Sequence, residues 1–169
     1  ANNCAGQSQP ITQTGCMAPD FCENSTFSNP VCRGDANGEI RLNPMGGVAP
    51  YTYLWSNGQT DMTATDLLAG IYEVTVTDSD NQVTTCSVEI EEPEALTCNI
   101  ALVSGVSADG ANDGSATVTP EGGNGGPFTY LWDNGNTNAS ADNLTAGQHS
   151  VKVYDAEGCE TYCSIEIPR

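Results

Sequence analysis

Tyr51-Thr52-Tyr53-Leu54-Trp55-Ser56-Asn57-Gly58 returns later in the chain as Phe128-Thr129-Tyr130-Leu131-Trp132-Asp133-Asn134-Gly135. Working outward, Leu67-Leu68-Ala69-Gly70 returns as Leu144-Thr145-Ala146-Gly147. Val74, Val76, Asp78, Cys86, Ser87, Glu89 and Ile90 return as Val151, Val153, Asp155, Cys163, Ser164, Glu166 and Ile167. A module of roughly 70 residues is therefore present twice in tandem. The repeated positions are mostly aromatic, aliphatic, Gly and Cys, which build a fold rather than a catalytic set.

Within each copy the apolar residues alternate with polar ones. Tyr51, Tyr53 and Trp55 share one face of a strand; Tyr72, Val74 and Val76 share another, opposite Glu73, Thr75 and Thr77. The second copy keeps the phase in Phe128, Tyr130 and Trp132, and in Cys163, Ile165 and Ile167. Period-two alternation gives each strand one buried and one solvated face. Short strands separated by Asn-Gly, Asp-Gly, Gly-Gly and Pro clusters form the pattern of an all-β sandwich, here in two copies. Trp55 and Trp132 are the expected core anchors. Leu54 and Leu131 fall on the outward face of the Trp strand, either covering a contact or sitting at the surface.

The domain plan is an extended N-terminal segment (1–20), a first module (21–93) and a second module (94–169). The joint Glu91-Glu92-Pro93-Glu94-Ala95 is short and restricted by proline, so a semi-rigid rod is expected. Small modules often need staples. The eight cysteines, in a Lys-poor and Gly-rich chain, read as disulfides formed in an oxidising compartment. Counting back from the Asn37-Gly38 and Asp113-Gly114 turns sets Cys22 against Cys98, and Cys86 already aligns with Cys163. Two equivalent staples follow, Cys22–Cys86 and Cys98–Cys163, each joining the first strand of a module to its last. Each could contribute about 3–4 kcal/mol by loop closure. Cys4, Cys16, Cys32 and Cys159 remain, and the sequence leaves their pairing open. Cys159 aligns with Gln82, and Cys32 with Ala108.

The formal charge is −18, with only four Lys and Arg residues. Phosphate backbones and anionic membrane surfaces require clustered basic residues, so neither is an expected partner. No apolar run approaches the roughly 20 residues of a transmembrane helix, so membrane insertion is not expected. The start Ala1-Asn2-Asn3-Cys4 lacks a signal-peptide pattern and reads as a mature, secreted chain, extracellular or on the cell surface.

Chemistry-bearing residues are sparse. The single histidine, His149, aligns with Tyr72 on an inward phase and reads as structural. No nucleophile motif or converging acid–base set is evident, so an enzyme is not expected. No cofactor is expected either, with calcium the one candidate. Asp78 and Asp80 begin an EF-hand-like stretch that lacks the sixth-position glycine, and Asp109 and Asp113 flank an oxygen-rich turn. The preferred reading of the latter is a tight turn. Asn24, Asn138 and Asn143 head glycosylation triplets.

The first strands of the two copies differ. Module two offers Leu96, Ile100, Leu102 and Val103, whereas Phe21 to Pro30 is far more polar. A weak first strand leaves a sheet edge poorly sealed. The segment Gln9–Thr14, centred on Pro10, Ile11 and Thr12, is an extended candidate to lie along such an edge, in its own module or a neighbour's.

These motifs resemble the SprB-type repeat of Bacteroidota surface proteins. The matching residues are Gly46-Gly47 and Gly122-Gly123, Pro50 and Pro127, Trp55 and Trp132, Ala69-Gly70 and Ala146-Gly147, Asp78 and Asp155, and Gly158-Cys159. The resemblance covers about residues 21–169. It implies an immunoglobulin-like sandwich on an exported surface protein of the gliding-adhesin kind, and no active site. Asn81-Gln82 departs from the pattern, as does the Cys-rich N-terminal segment. Two functions follow as expectations. One is an extracellular filament or fibre subunit that self-assembles head to tail into a homopolymer. The other is an adhesin module that binds glycans or surfaces through loop aromatics such as Tyr51 and Phe128, with calcium in the acidic turns.

Overall fold

A computed structural model describes residues 21–169. The candidate assembly residues Pro10, Ile11 and Thr12, together with Cys4 and Cys16, lie outside the described residues. Among the described residues there are twelve strands and no helix. Module one contains β1 (Thr26–Ser28), β2 (Gly38–Arg41), β3 (Thr52–Trp55), β4 (Thr63–Leu67), β5 (Gly70–Thr77) and β6 (Val83–Ile90). Module two contains β7 (Thr97–Ser104), β8 (Gly114–Glu121), β9 (Thr129–Trp132), β10 (Ser140–Leu144), β11 (Gly147–Tyr154) and β12 (Glu160–Ile167).

Each module is two antiparallel three-stranded sheets. Module one pairs β1-β2-β4 and β3-β5-β6; module two pairs β7-β8-β10 and β9-β11-β12. The inward residues of both sheets interdigitate. Ile40, Ala64 and Leu67 from one layer meet Trp55, Val74, Val76, Cys86 and Ile90 from the other. Ala116, Val118, Ala141 and Leu144 meet Trp132, Val151, Val153 and Ile167 in the second core. Trp55 and Trp132 are 2% and 1% exposed. Each indole N–H donates to a backbone carbonyl, of Asp61 at 2.8 Å and of Asn138 at 2.9 Å, so the ring is buried without stranding its polar atom. Leu54 and Leu131 stay exposed at the surface.

Two backbone devices recur. Gly38 and Gly114 sit where a Cβ would come within 2.8–2.9 Å of the Leu67 and Leu144 carbonyls. Only glycine lets those strands approach so closely. Opposite them, Asp66 and Asn143 adopt φ of 56° and 60°, beside register shifts in the β2–β4 and β8–β10 pairings. Asx residues tolerate this left-handed conformation better than most.

Cys22 is bonded to Cys86, and Cys98 to Cys163. Cys98 lies on β7, but Cys22 lies in a turn ahead of β1. The first strand of module one is only three residues long, against eight in module two. The polar stretch Glu23-Asn24-Ser25 forms the turn instead, so the staple holds a turn to β6 rather than strand to strand.

Replacing Trp55 or Trp132 by Ala is expected to cost about 3–5 kcal/mol. Denaturant unfolding of each variant checks this, and a loss below about 1 kcal/mol would contradict the burial.

Candidate functional site at the module junction

A disulfide and a side-chain hydrogen bond join the far end of module one to the near end of module two. The near end is built around Asp155, which is 5% exposed. Its Oδ1 accepts the amides of Glu157 (3.0 Å) and Cys159 (2.9 Å), and its Oδ2 the amide of Asn124 (2.8 Å). Asp78 repeats this in module one: Oδ1 accepts the amides of Asp80 and Gln82 at 2.9 and 2.8 Å, and Oδ2 that of Val48 at 3.0 Å. Burial pushes both carboxyls up. The N–H donors from Gln82, Val48 and Asp80 outweigh it at Asp78, as those from Asn124, Cys159 and Glu157 do at Asp155, and hold both below the usual carboxylate range. Gly47 and Gly123 face these carboxylates so closely that a Cβ would lie 2.7 Å from Oδ2.

Asp155 thereby sets the positions of Asn124 and Cys159, and both reach the other module. Cys159 is bonded to Cys32. Asn124 Nδ2 donates to the Val31 carbonyl at 2.8 Å. Around the bond, Arg33 pairs with Glu92 at 3.0 Å and the Gly34 amide donates to the same carboxylate at 3.2 Å. The Glu91 amide donates to Asn29 Oδ1 at 3.1 Å. A cleft of ≈ 450 Å³ lies beside the disulfide, lined in part by Asp35, Glu94 and Glu160.

The other candidate residues have structural partners. Asp78 points inward with its oxygens occupied by N–H donors, so it is an organiser of the turn rather than an outward calcium ligand. Asp113 accepts the Ser107 amide at 2.9 Å, and the Ser107 hydroxyl and amide hold its carboxyl below the usual range. Asp109 pairs with Arg169 at 3.4 Å. Among the described residues, no three His, Cys, Asp or Glu side chains gather in a way that could hold a metal ion. His149 Nδ1 lies 2.9 Å from Asp133 Oδ1 and its Nε2 lies 3.0 Å from the Thr145 carbonyl; Tyr72 makes the matching contact to Leu68. Tyr51 and Phe128 are half-buried against the two cores rather than splayed from loops. Asn24, Asn138 and Asn143 are exposed. The junction pair Cys32–Cys159 carried no repeat signal, because each cysteine lacks a counterpart in the other copy.

The family model described as SprB repeat matches residues 24–60 and 109–137. The two matched segments fall one in each of the tandem copies. SprB repeats are found in cell-surface proteins, and the disulfides fit an extracellular location. No curated protein matches the sequence. Among solved structures, the three N-terminal domains of the Highly Immunogenic Outer Capsid protein (Hoc) of bacteriophage RB49 are 20% identical, with a TM-score of 0.54 over 88% of this chain. The C-terminal 282-residue fragment of intimin, in complex with the intimin-binding domain of its translocated receptor, is 18% identical over 86% of this chain (TM-score 0.42). The amphioxus IgVJ-C2 molecule is 15% identical over 86% of this chain and 96% of its own (TM-score 0.34). The chain spans 59% of the Hoc structure and 63% of the intimin fragment. The fold is all-β and immunoglobulin-like, in two tandem modules.

Two tests follow. Asp78 and Asp155 have depressed folded-state pKa values, so their stabilisation is fully present above the unfolded value of about 3.9 and is lost as pH falls through the folded values. Acid titration of stability should show that loss in the wild type and a shallower one in Asp78→Asn and Asp155→Asn, both destabilised at neutral pH. Replacing Cys32 and Cys159 together by Ser should leave both cores folded while broadening the distance between labels placed in the two modules. An unchanged distribution would mean the hydrogen bonds and ion pair suffice.

Proposed function

We propose that the protein is an extracellular structural subunit, assembled head to tail into a surface filament or fibre, with residues 1–20 engaging a neighbouring protomer. The observation that carries this reading is the covalent junction. A bond from Cys32 to Cys159 ties two modules that are already joined by a peptide linker. Such a bond resists bending between them, as a load-bearing rod requires. The edge of module one supports the role of the N-terminal segment. β6 pairs only with β5 among the described strands. Between it and the short β1 runs a groove of ≈ 430 Å³, lined by Ser25, Phe27, Ser87, Val88, Glu89 and Glu91. Phe27 there is 57% exposed. An extended segment such as Gln9–Thr14 has the form that adds to a sheet edge.

Electron microscopy of the native, unreduced protein should reveal regular filaments whose axial repeat fits a two-module rod. Deletion of residues 1–20 should abolish them while cooperative unfolding of the modules persists. Dispersed monomers, or filaments that survive the deletion, would overturn the reading.

The match to a repeat of surface proteins favours a second reading, an adhesin module that binds glycans or surfaces with or without calcium. A glycan array that stays blank with and without calcium would count against it.

A further inference from the structure

The outward sides of the two modules repeat the halves of the junction between them. At the far end of module one, the Asp35 amide donates to the Cys32 carbonyl at 3.1 Å, and the Val31 amide to Asn37 Oδ1 at 3.2 Å. At the far end of module two, the Ala111 amide donates to the Ala108 carbonyl at 3.0 Å, and the Ser107 amide to Asp113 Oδ1 at 2.9 Å. The near ends match as closely. Asp155 donates its amide to the Cys159 carbonyl, and Asp78 to the Gln82 carbonyl, both at 3.0 Å. Module two therefore presents, on the side away from the junction, the turn by which module one docks. Module one presents, on the side away from the junction, the loops on which that turn docks.

What differs is the chemistry on these frames. Inside the chain, Cys32 meets Cys159 and the Val31 carbonyl meets Asn124. On the outward sides, Ala108 stands for Cys32, Gln82 for Cys159 and Val48 for Asn124. Met45 replaces Glu121 beside it. Met45 and Val48 are 55% and 45% exposed, an apolar pair on a chain of net charge −18. The opposite end offers the small residues Ser107, Ala108 and Ala111, and its nearby Asp109 is neutralised by Arg169 at 3.4 Å. A small uncharged turn and an apolar pair suit a joint without a covalent bond.

We infer that successive copies join by the geometry of the internal junction: the turn Ser107–Ala111 of one copy seats on Met45, Val48 and Gln82 of the next. This rests on the fibre reading above and names its contact. The two surfaces are different and lie at opposite ends, so the contact is heterologous and propagates instead of closing. Within each copy the joint is covalent; between copies it is reversible.

The test installs the missing bond. Full-length protein carrying both Gln82→Cys and Ala108→Cys is assembled under the conditions that give native filaments, and mildly oxidised. Peptide mapping first verifies that the Cys22–Cys86, Cys32–Cys159 and Cys98–Cys163 bonds are intact. The expected result is a ladder of covalent oligomers on a non-reducing gel that collapses on reduction, with single variants yielding nothing beyond dimers. As a second variant free of new thiols, Met45→Glu should abolish filaments, whereas Ile71→Asp on an exposed strand face should not. Filaments from the double variant without a ladder, or filaments from Met45→Glu, would overturn this joint and leave the fibre reading standing. Unaltered protein that never forms filaments would overturn both.

Discussion

Two β-sandwiches joined only by residues 91–96 would swivel about that linker, because a proline narrows the range of a short joint without fixing it. The bond between Cys32 and Cys159 removes this freedom by adding a second covalent connection on a different loop. Bending now has to open the contact beside the bond as well, the Asn124 side chain on the Val31 carbonyl. The orientation of one module on the other is thus set by side chains of both.

That bond depends in turn on a buried carboxylate. A carboxylate out of water is costly unless donors surround it. Asp155 meets the condition with the amides of Asn124, Glu157 and Cys159. The same donors fix the loops that carry Asn124 and Cys159, so the satisfaction of one charge places two docking residues. Asp78 does this work identically in module one, where the loops carry Val48 and Gln82 and hold no partner covalently. The organiser belongs to the fold, and the residues it presents decide what that end can join.

The sequence displays the fold because the two copies agree where the fold is made. Trp55 and Trp132 align, and the inward phases of β5 and β11 coincide. Setting Cys22 against Cys98 and Cys86 against Cys163 needs nothing beyond the repeat. The junction is invisible to the same comparison. Cys32 stands opposite Ala108 and Cys159 opposite Gln82, so neither has a symmetric partner to suggest its mate. Asp78 and Asp155 are visible as repeated residues, but at Asp78 the neighbouring Asp80 makes calcium a candidate until the direction of the N–H donors is known. The short β1 has a similar origin. The polar run Glu23-Asn24-Ser25 satisfies itself in a turn, a local competition that alternation patterns do not register.

Where the copies differ, the differences are themselves ordered. Arg33 pairs with Glu92 just past the last strand of module one; Asp109 pairs with Arg169 just past the last strand of module two. The same turn is tied to the same place with the charges exchanged. An exchanged pair preserves the attraction while reversing the field each turn presents outward. The cysteine positions behave likewise: the docking half carries Cys32 in module one and Ala108 in module two, while the receiving half carries Cys159 in module two and Gln82 in module one. The inward halves carry the covalent pair, and the outward halves carry the same frame without it.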